Sequence, residues 1–147
     1  QGYCPGSHGK RKADFLREMF RVLKPGGRLI LADFFNAKSQ FTPAEQALMN
    51  EWVSGWSVRS LAYSGDFRKA MEETGFKDID MEDATEHVRP SAKRLYQYAA
   101  LSRWGGKILL ALRIRNKAQD GNIRAVHRQW YALNQGLWHY GIFLGRK

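Results

Sequence analysis

The chain has 147 residues, with 24 Lys and Arg against 14 Asp and Glu, and so carries a formal charge of +10. At 44% hydrophobic and 13% aromatic it has enough apolar side chain for a core, which excludes global disorder, and its length suits one domain or part of one. The longest apolar run, residues 108–112, falls far short of the roughly 20 needed for a membrane span, and a lone cysteine, Cys4, excludes an internal disulfide and a cysteine-built zinc site.

In chain order, Phe15, Leu16, Met19, Phe20 and Leu23 form a helical stripe, with Arg17, Glu18 and Arg21 on the other side. Lys24-Pro25-Gly26-Gly27 stops it, because proline cannot continue a helix and glycine supplies the reversal. Residues 28–35 then run Arg-Leu-Ile-Leu-Ala-Asp-Phe-Phe. Such a run predicts a strand covered on both faces, as in a parallel sheet. Thr42-Pro43 opens a second helix, with Pro43 where its missing N–H costs nothing. Ser64 is expected to cap a short helix that buries Phe67, Ala70 and Met71 and ends at Gly75. Weak alternation over 76–82, with acids outward, predicts a strand near a sheet edge. Pro90-Ser91 starts a helical region in which Leu95, Tyr98 and Ala99 share a face, and Gly105-Gly106 interrupts it. Ile123, Val126, Trp130, Leu133 and Leu137 recur at spacings of three and four, the clearest helix of the chain. Trp138, Tyr140, Ile142 and Leu144 alternate with His139, Gly141, Phe143 and Gly145, as a strand does. The order is α, β, α, α, β, α, α, β, an α/β chain.

Residues 15–33, with Leu23-Lys24-Pro25-Gly26-Gly27 feeding the strand, resemble the late segment of class I S-adenosylmethionine-dependent methyltransferases. Thr74-Gly75-Phe76 resembles the turn after that family's next helix, and Asp83-Ala84-Thr85 with Val88-Arg89-Pro90 resembles the segment leaving its sixth strand. The likeness is nearest to small-molecule enzymes that methylate sterols and tocopherols. It implies a partial Rossmann-like sheet made of the C-terminal strands 5, 6 and 7 with flanking helices. It also implies S-adenosyl-L-methionine as cofactor. No two of the fourteen glycines stand two positions apart, so the family's G-x-G turn is absent. The expectation is therefore that residues 1–147 are the C-terminal portion of one methyltransferase domain, inactive alone, whose open strand edge meets a missing N-terminal half or a second copy.

The resemblance also suggests where chemistry sits. His8, before the first helix, is a candidate base or substrate-orienting group; the plainer alternative is a solvated loop histidine. Trp52, Trp56 and Tyr63 lie where the family builds its substrate pocket, or are ordinary core aromatics. Asp33, at a strand's carboxyl end, is placed either to meet a ligand or to make a loop bond. Asp83 and Thr85 read as holding the loop into the next helix, His127 and His139 as too isolated for metal ligation, and Cys4 as incidental.

Charge adds three further readings. Residues 86–147 carry twelve basic side chains against Glu86 and Asp120. A basic surface attracts nucleic acid, anionic lipid or an acidic partner, or simply decorates solvated helices. Gly6-Ser7-His8-Gly9 before Lys10-Arg11-Lys12 is similar to the backbone clamp of KH domains, though nothing helical precedes it. Residues 101–117 form a basic amphipathic stretch able to lie on a membrane. A cytoplasmic setting, with or without peripheral membrane contact, is expected; a stand-alone interaction domain derived from a methyltransferase is the other alternative.

Overall fold

A computed structural model of the chain describes residues 9–111 and 117–147, apart from the side chains of 9–12, 102–111 and 117–120. Cys4, His8 and most of the clamp-like Gly6–Gly9 stretch lie outside the described residues, as do most side chains of the basic stretch 101–117. The elements run α1 (Gly9–Val22), β1 (Arg28–Asn36), α2 (Pro43–Gly55), β2 (Ala62–Tyr63), α3 (Ser64–Thr74), β3 (Lys77–Asp83), α4 (Thr85–Ala111), α5 (Lys117–Asn134) and β4 (Trp138–Arg146).

The strands form one sheet in the order β2-β1-β4-β3. β4 runs antiparallel to β1 over all nine positions, from Arg28 opposite Arg146 to Asn36 opposite Trp138. β3 takes the expected edge, antiparallel to β4. On the other side of β1, only Phe35 and Asn36 have a strand partner among the described residues, the two residues of β2.

The alternation of β1 and β4 divides the core in two. Phe35 and Phe143 point to one face, where Leu16 of α1 and Phe67 and Met71 of α3 cover them. Phe34, Trp138 and Tyr140 point to the other, against Met49, Trp52 and Val53 of α2, Leu133 of α5, and Val88 and Ala92 of α4. The turn after α1 is fastened from a distance. Lys147 exchanges backbone bonds with Gly26 and Gly27 at 3.0 and 2.9 Å, and its Nζ donates to the carbonyls of Phe20 and Leu23 at 2.5 and 2.8 Å. A cation there satisfies carbonyls that the last helical turn leaves free and opposes the negative end of the helix dipole.

Four local expectations are corrected. β1 is not covered on both faces: Ile30 is 64% exposed and Ala32 is exposed, because the helices on that face stop at Phe34. The residue capping α3 is Tyr63, with no side-chain bond, and Ser64 is already helical. α4 begins at Thr85, five residues before Pro90, which stands inside it. The early start is fixed from outside the helix: Asp83 Oδ1 accepts the Thr85 N–H at 2.9 Å, while Ala84 N–H donates to Tyr140 O at 2.8 Å. Gly105 and Gly106 do not break that helix. At α2 the expectation and the structure coincide. Thr42 caps the helix, accepting from Glu45 N–H, while the Glu45 carboxylate accepts from Thr42 N–H at 2.9 Å.

Candidate functional site

At the carboxyl end of β1 lies a cavity of about 520 Å³. Asp33 and Phe34 of β1 and Trp138 and Tyr140 of β4 form its floor, Trp52 and Val53 of α2 with Trp56 just past its end one wall, and Val88, Ser91, Ala92 and Leu95 of α4 another. Strand alternation sends Phe34, Trp138 and Tyr140 to this face, and the helical stripes of α2 and α4 supply the rest.

The aromatic floor is fixed by ring packing. Phe34 meets Trp52, Trp138 and Tyr140 edge-on, with centroids 5.8, 5.2 and 5.2 Å away. Trp52 and Trp138 lie 5.1 Å apart. The Trp138 indole N–H donates to Gln129 O at 3.0 Å, so the one polar atom of that ring is satisfied without water. A cavity lined this way favours apolar ligands and, through the ring faces, positive charge.

The candidate residues from the sequence separate here. Trp52 and Trp56 both line the cavity; Trp52 is also a core residue, 3% exposed, whereas Trp56 sits at the C-cap of α2 and is 45% exposed. Tyr63 is not part of the wall: it stands on β2 opposite Asn36, its ring packed beside Gly65. Asp33 lines the cavity, and its Oδ1 accepts the Phe34 N–H at 2.8 Å. Asp83 and Thr85 bond one another, and the Thr85 hydroxyl also accepts the Tyr140 N–H at 2.9 Å, which ties the start of α4 to the cavity floor. Burial raises the Asp83 pKa, but the two bonds from Thr85 and the charge of His139 outweigh it and hold the carboxyl below its usual range.

Ser91, Val88, Leu95 and Gln129 were not singled out as site residues from the sequence. Leu95 belonged to a helical stripe, Ser91 to a helix start and Val88 to the segment after the sixth-strand likeness, none of which distinguishes a cavity wall from packing, and Gln129 carried no signal. His139 reads from the sequence as too isolated for metal ligation. It stacks on Phe35 at 6.0 Å, and its Nε2 is buried with no hydrogen-bond partner. Burial lowers its pKa from 6.5, only partly opposed by the Asp83 carboxylate. Between that lowered pKa and 6.5 the folded state keeps this imidazole neutral while the unfolded chain protonates it. The stability this gives is complete above about pH 6.5 and is lost as the pH falls below it. Thermal melts at about pH 7.5 and about pH 5.5 are expected to show a larger drop for the natural chain than for His139→Gln; equal drops would remove His139 from this role.

No protein-family model matches the chain. Among curated proteins it is 26% identical over 132 residues to norajmaline N-methyltransferase of Rauvolfia serpentina, covering 79% of this chain and 45% of that one. It is 34% identical over 73 residues to 2-methyl-6-phytyl-1,4-hydroquinone methyltransferase of Synechocystis, covering 48% of this chain and 23% of that one. Among solved structures, phosphoethanolamine N-methyltransferase 2 of Haemonchus contortus superposes with a TM-score of 0.67 at 19% identity, over 96% of this chain and 31% of that one. The chain thus spans less than half the length of each of these three proteins. In sequence and in fold, this chain is a relative of the class I S-adenosylmethionine-dependent methyltransferases, with their Rossmann-like architecture.

Proposed function

We propose that the chain forms the acceptor-binding side of an S-adenosylmethionine-dependent methyltransferase whose substrate is a small, lipid-like or terpenoid-like molecule. The observation that carries this reading is the aromatic-lined cavity at the carboxyl end of β1, the edge of an α/β sheet where ligands bind. Two relatives are named for small-molecule acceptors, one for norajmaline and one for 2-methyl-6-phytyl-1,4-hydroquinone. S-adenosyl-L-methionine is the implied cofactor, and the matched Haemonchus structure holds its product form, S-adenosylhomocysteine.

The helices that follow strands directly, α3 and α4, are entered through Tyr63-Ser64-Gly65 and Asp83-Ala84-Thr85, and neither is a glycine-rich turn. On this reading the cofactor is held by further polypeptide, and the chain alone does not transfer methyl groups. The unpaired side of β1 is where that polypeptide, or a second copy of this one, adds to the sheet.

Within the cavity, Trp52 and Trp56 orient the acceptor and exclude water, and the ring faces stabilise positive charge near the reacting atom. His8 keeps the role of base on the family resemblance alone. Titrating the chain with a phytylated hydroquinone is expected to quench tryptophan fluorescence saturably, and Trp56→Ala to weaken binding by about tenfold, in line with the loss of one large apolar contact. In the same buffer, calorimetry with S-adenosylmethionine is expected to show no binding. An absence of quenching would overturn the acceptor assignment; heat on adding S-adenosylmethionine would overturn the assignment of the cofactor to other polypeptide.

A further inference from the structure

Apolar side chains continue outward from the mouth of the cavity. Trp56 and Leu95 line it and are themselves 45% and 40% exposed. Beyond Leu95 on α4 come Tyr98 and Leu101, 70% and 71% exposed. Their spacing of three makes a stripe that winds slowly round the helix, leading away from the cavity. Isolated exposed apolar residues need no explanation, but here four join a cavity to the surface. Arg94 is exposed on the side of α4 that carries the stripe and borders the shallow groove that contains Tyr98 and Leu101, and Lys93 is exposed one residue before it.

We propose that the Trp56–Leu95–Tyr98–Leu101 ridge docks on an anionic lipid surface and gives an apolar ligand a path into the cavity. Four features select this occupant. Trp and Tyr combine an apolar ring with a polar tip and suit the headgroup boundary, and leucines reach into the acyl region. The Arg94 guanidinium, next to Tyr98 and Leu101, faces anionic headgroups. A second copy seated face to face on this ridge would set Arg94 against its own counterpart, which argues against self-contact there. The ridge opens into an apolar cavity, as access for an acyl or prenyl chain requires and as binding of a phosphodiester backbone does not. The inference is independent of methyl transfer, because docking needs neither cofactor nor acceptor.

The test is flotation of the full chain with vesicles of phosphatidylcholine alone and of phosphatidylcholine with phosphatidylserine; floating with vesicles separates binding from aggregation. Recovery with the anionic vesicles is expected, falling at high salt, with affinity for neutral vesicles weaker by about tenfold or more. Tyr98→Ser with Leu101→Ser is expected to weaken anionic-vesicle binding by about tenfold while leaving the melting temperature unchanged, since both side chains are largely in solvent. Lys93→Glu with Arg94→Glu is expected to do the same through charge. No flotation, equal flotation on both compositions, or insensitivity to the Tyr98 and Leu101 changes would overturn the proposal. So would displacement from vesicles by a single-stranded oligonucleotide bound through the same residues, or a dimer that sedimentation shows those changes to dissolve.

Discussion

Trp138→Ala is expected to cost about 3–5 kcal/mol of folding stability, the usual range for a large aromatic removed from a core. Trp138 is 1% exposed and joins three elements at once, meeting Phe34 of β1, Trp52 of α2 and the Gln129 carbonyl of α5. Alanine removes the ring contacts, leaves a void that rigid neighbouring rings fill poorly, and loses the indole hydrogen bond to the Gln129 carbonyl. Domains of this size have about 5–15 kcal/mol in total, so the variant lies near its unfolding threshold. Trp138→Phe retains most of the packing and loses the indole hydrogen bond, with an expected cost of about 1–3 kcal/mol. Urea denaturation followed by circular dichroism checks both. A loss below about 1 kcal/mol for Trp138→Ala would show that the indole does not hold the cavity floor together.

Most of the element order was legible in the sequence, because strands and helices write their own periods. Gly75 stops α3 in a left-handed conformation, φ +107°, as a helix-ending glycine should. The β4 alternation assigns Phe143 and Tyr140 to opposite faces, as the two cores require. The errors share one origin: apolarity records what a segment is able to bury, not what is present to bury it. Ile30 sits in the most hydrophobic run of β1 and is mostly in solvent. The helical reading from Pro90 missed five residues because the start of α4 is set by Asp83 and by Tyr140, 55 positions from Thr85. The hold of Lys147 on the Phe20 carbonyl spans 127 positions and leaves no local trace. The cavity was half legible: Trp52 and Trp56 stood out as aromatics in the right segment, whereas the α4 and α5 residues of its wall are indistinguishable from packing residues until the helices are placed.

The α2–α5 crossing makes the second large prediction, and nothing in the periodicity pointed to it. Gly55 closes α2, and a Cβ built there would lie 2.5 Å from Ala125 Cβ and 3.0 Å from the Gly121 carbonyl oxygen. Ala125 is fully buried, and neither a methyl group nor a helix backbone is able to rotate aside. In an open helix Gly→Ala stabilises by up to about 1 kcal/mol, so propensity and crowding have opposite signs here. Crowding is expected to win, with Gly55→Ala destabilising by about 1–3 kcal/mol as the helices are pushed apart. Ala125→Gly alone costs about 1 kcal/mol through helix propensity, but it removes the nearest atom in the way. The double variant is therefore expected to lose less than the two single losses combined, with a coupling of about 0.5–3 kcal/mol between residues in contact. Strict additivity, or stabilisation by Gly55→Ala, would show that the two helices do not approach this closely. Because Trp52 and Val53 belong to the same last turns of α2, separation at Gly55 also widens the cavity. Gly55→Ala is thus expected to weaken hydroquinone binding, and Ala125→Gly to restore part of it.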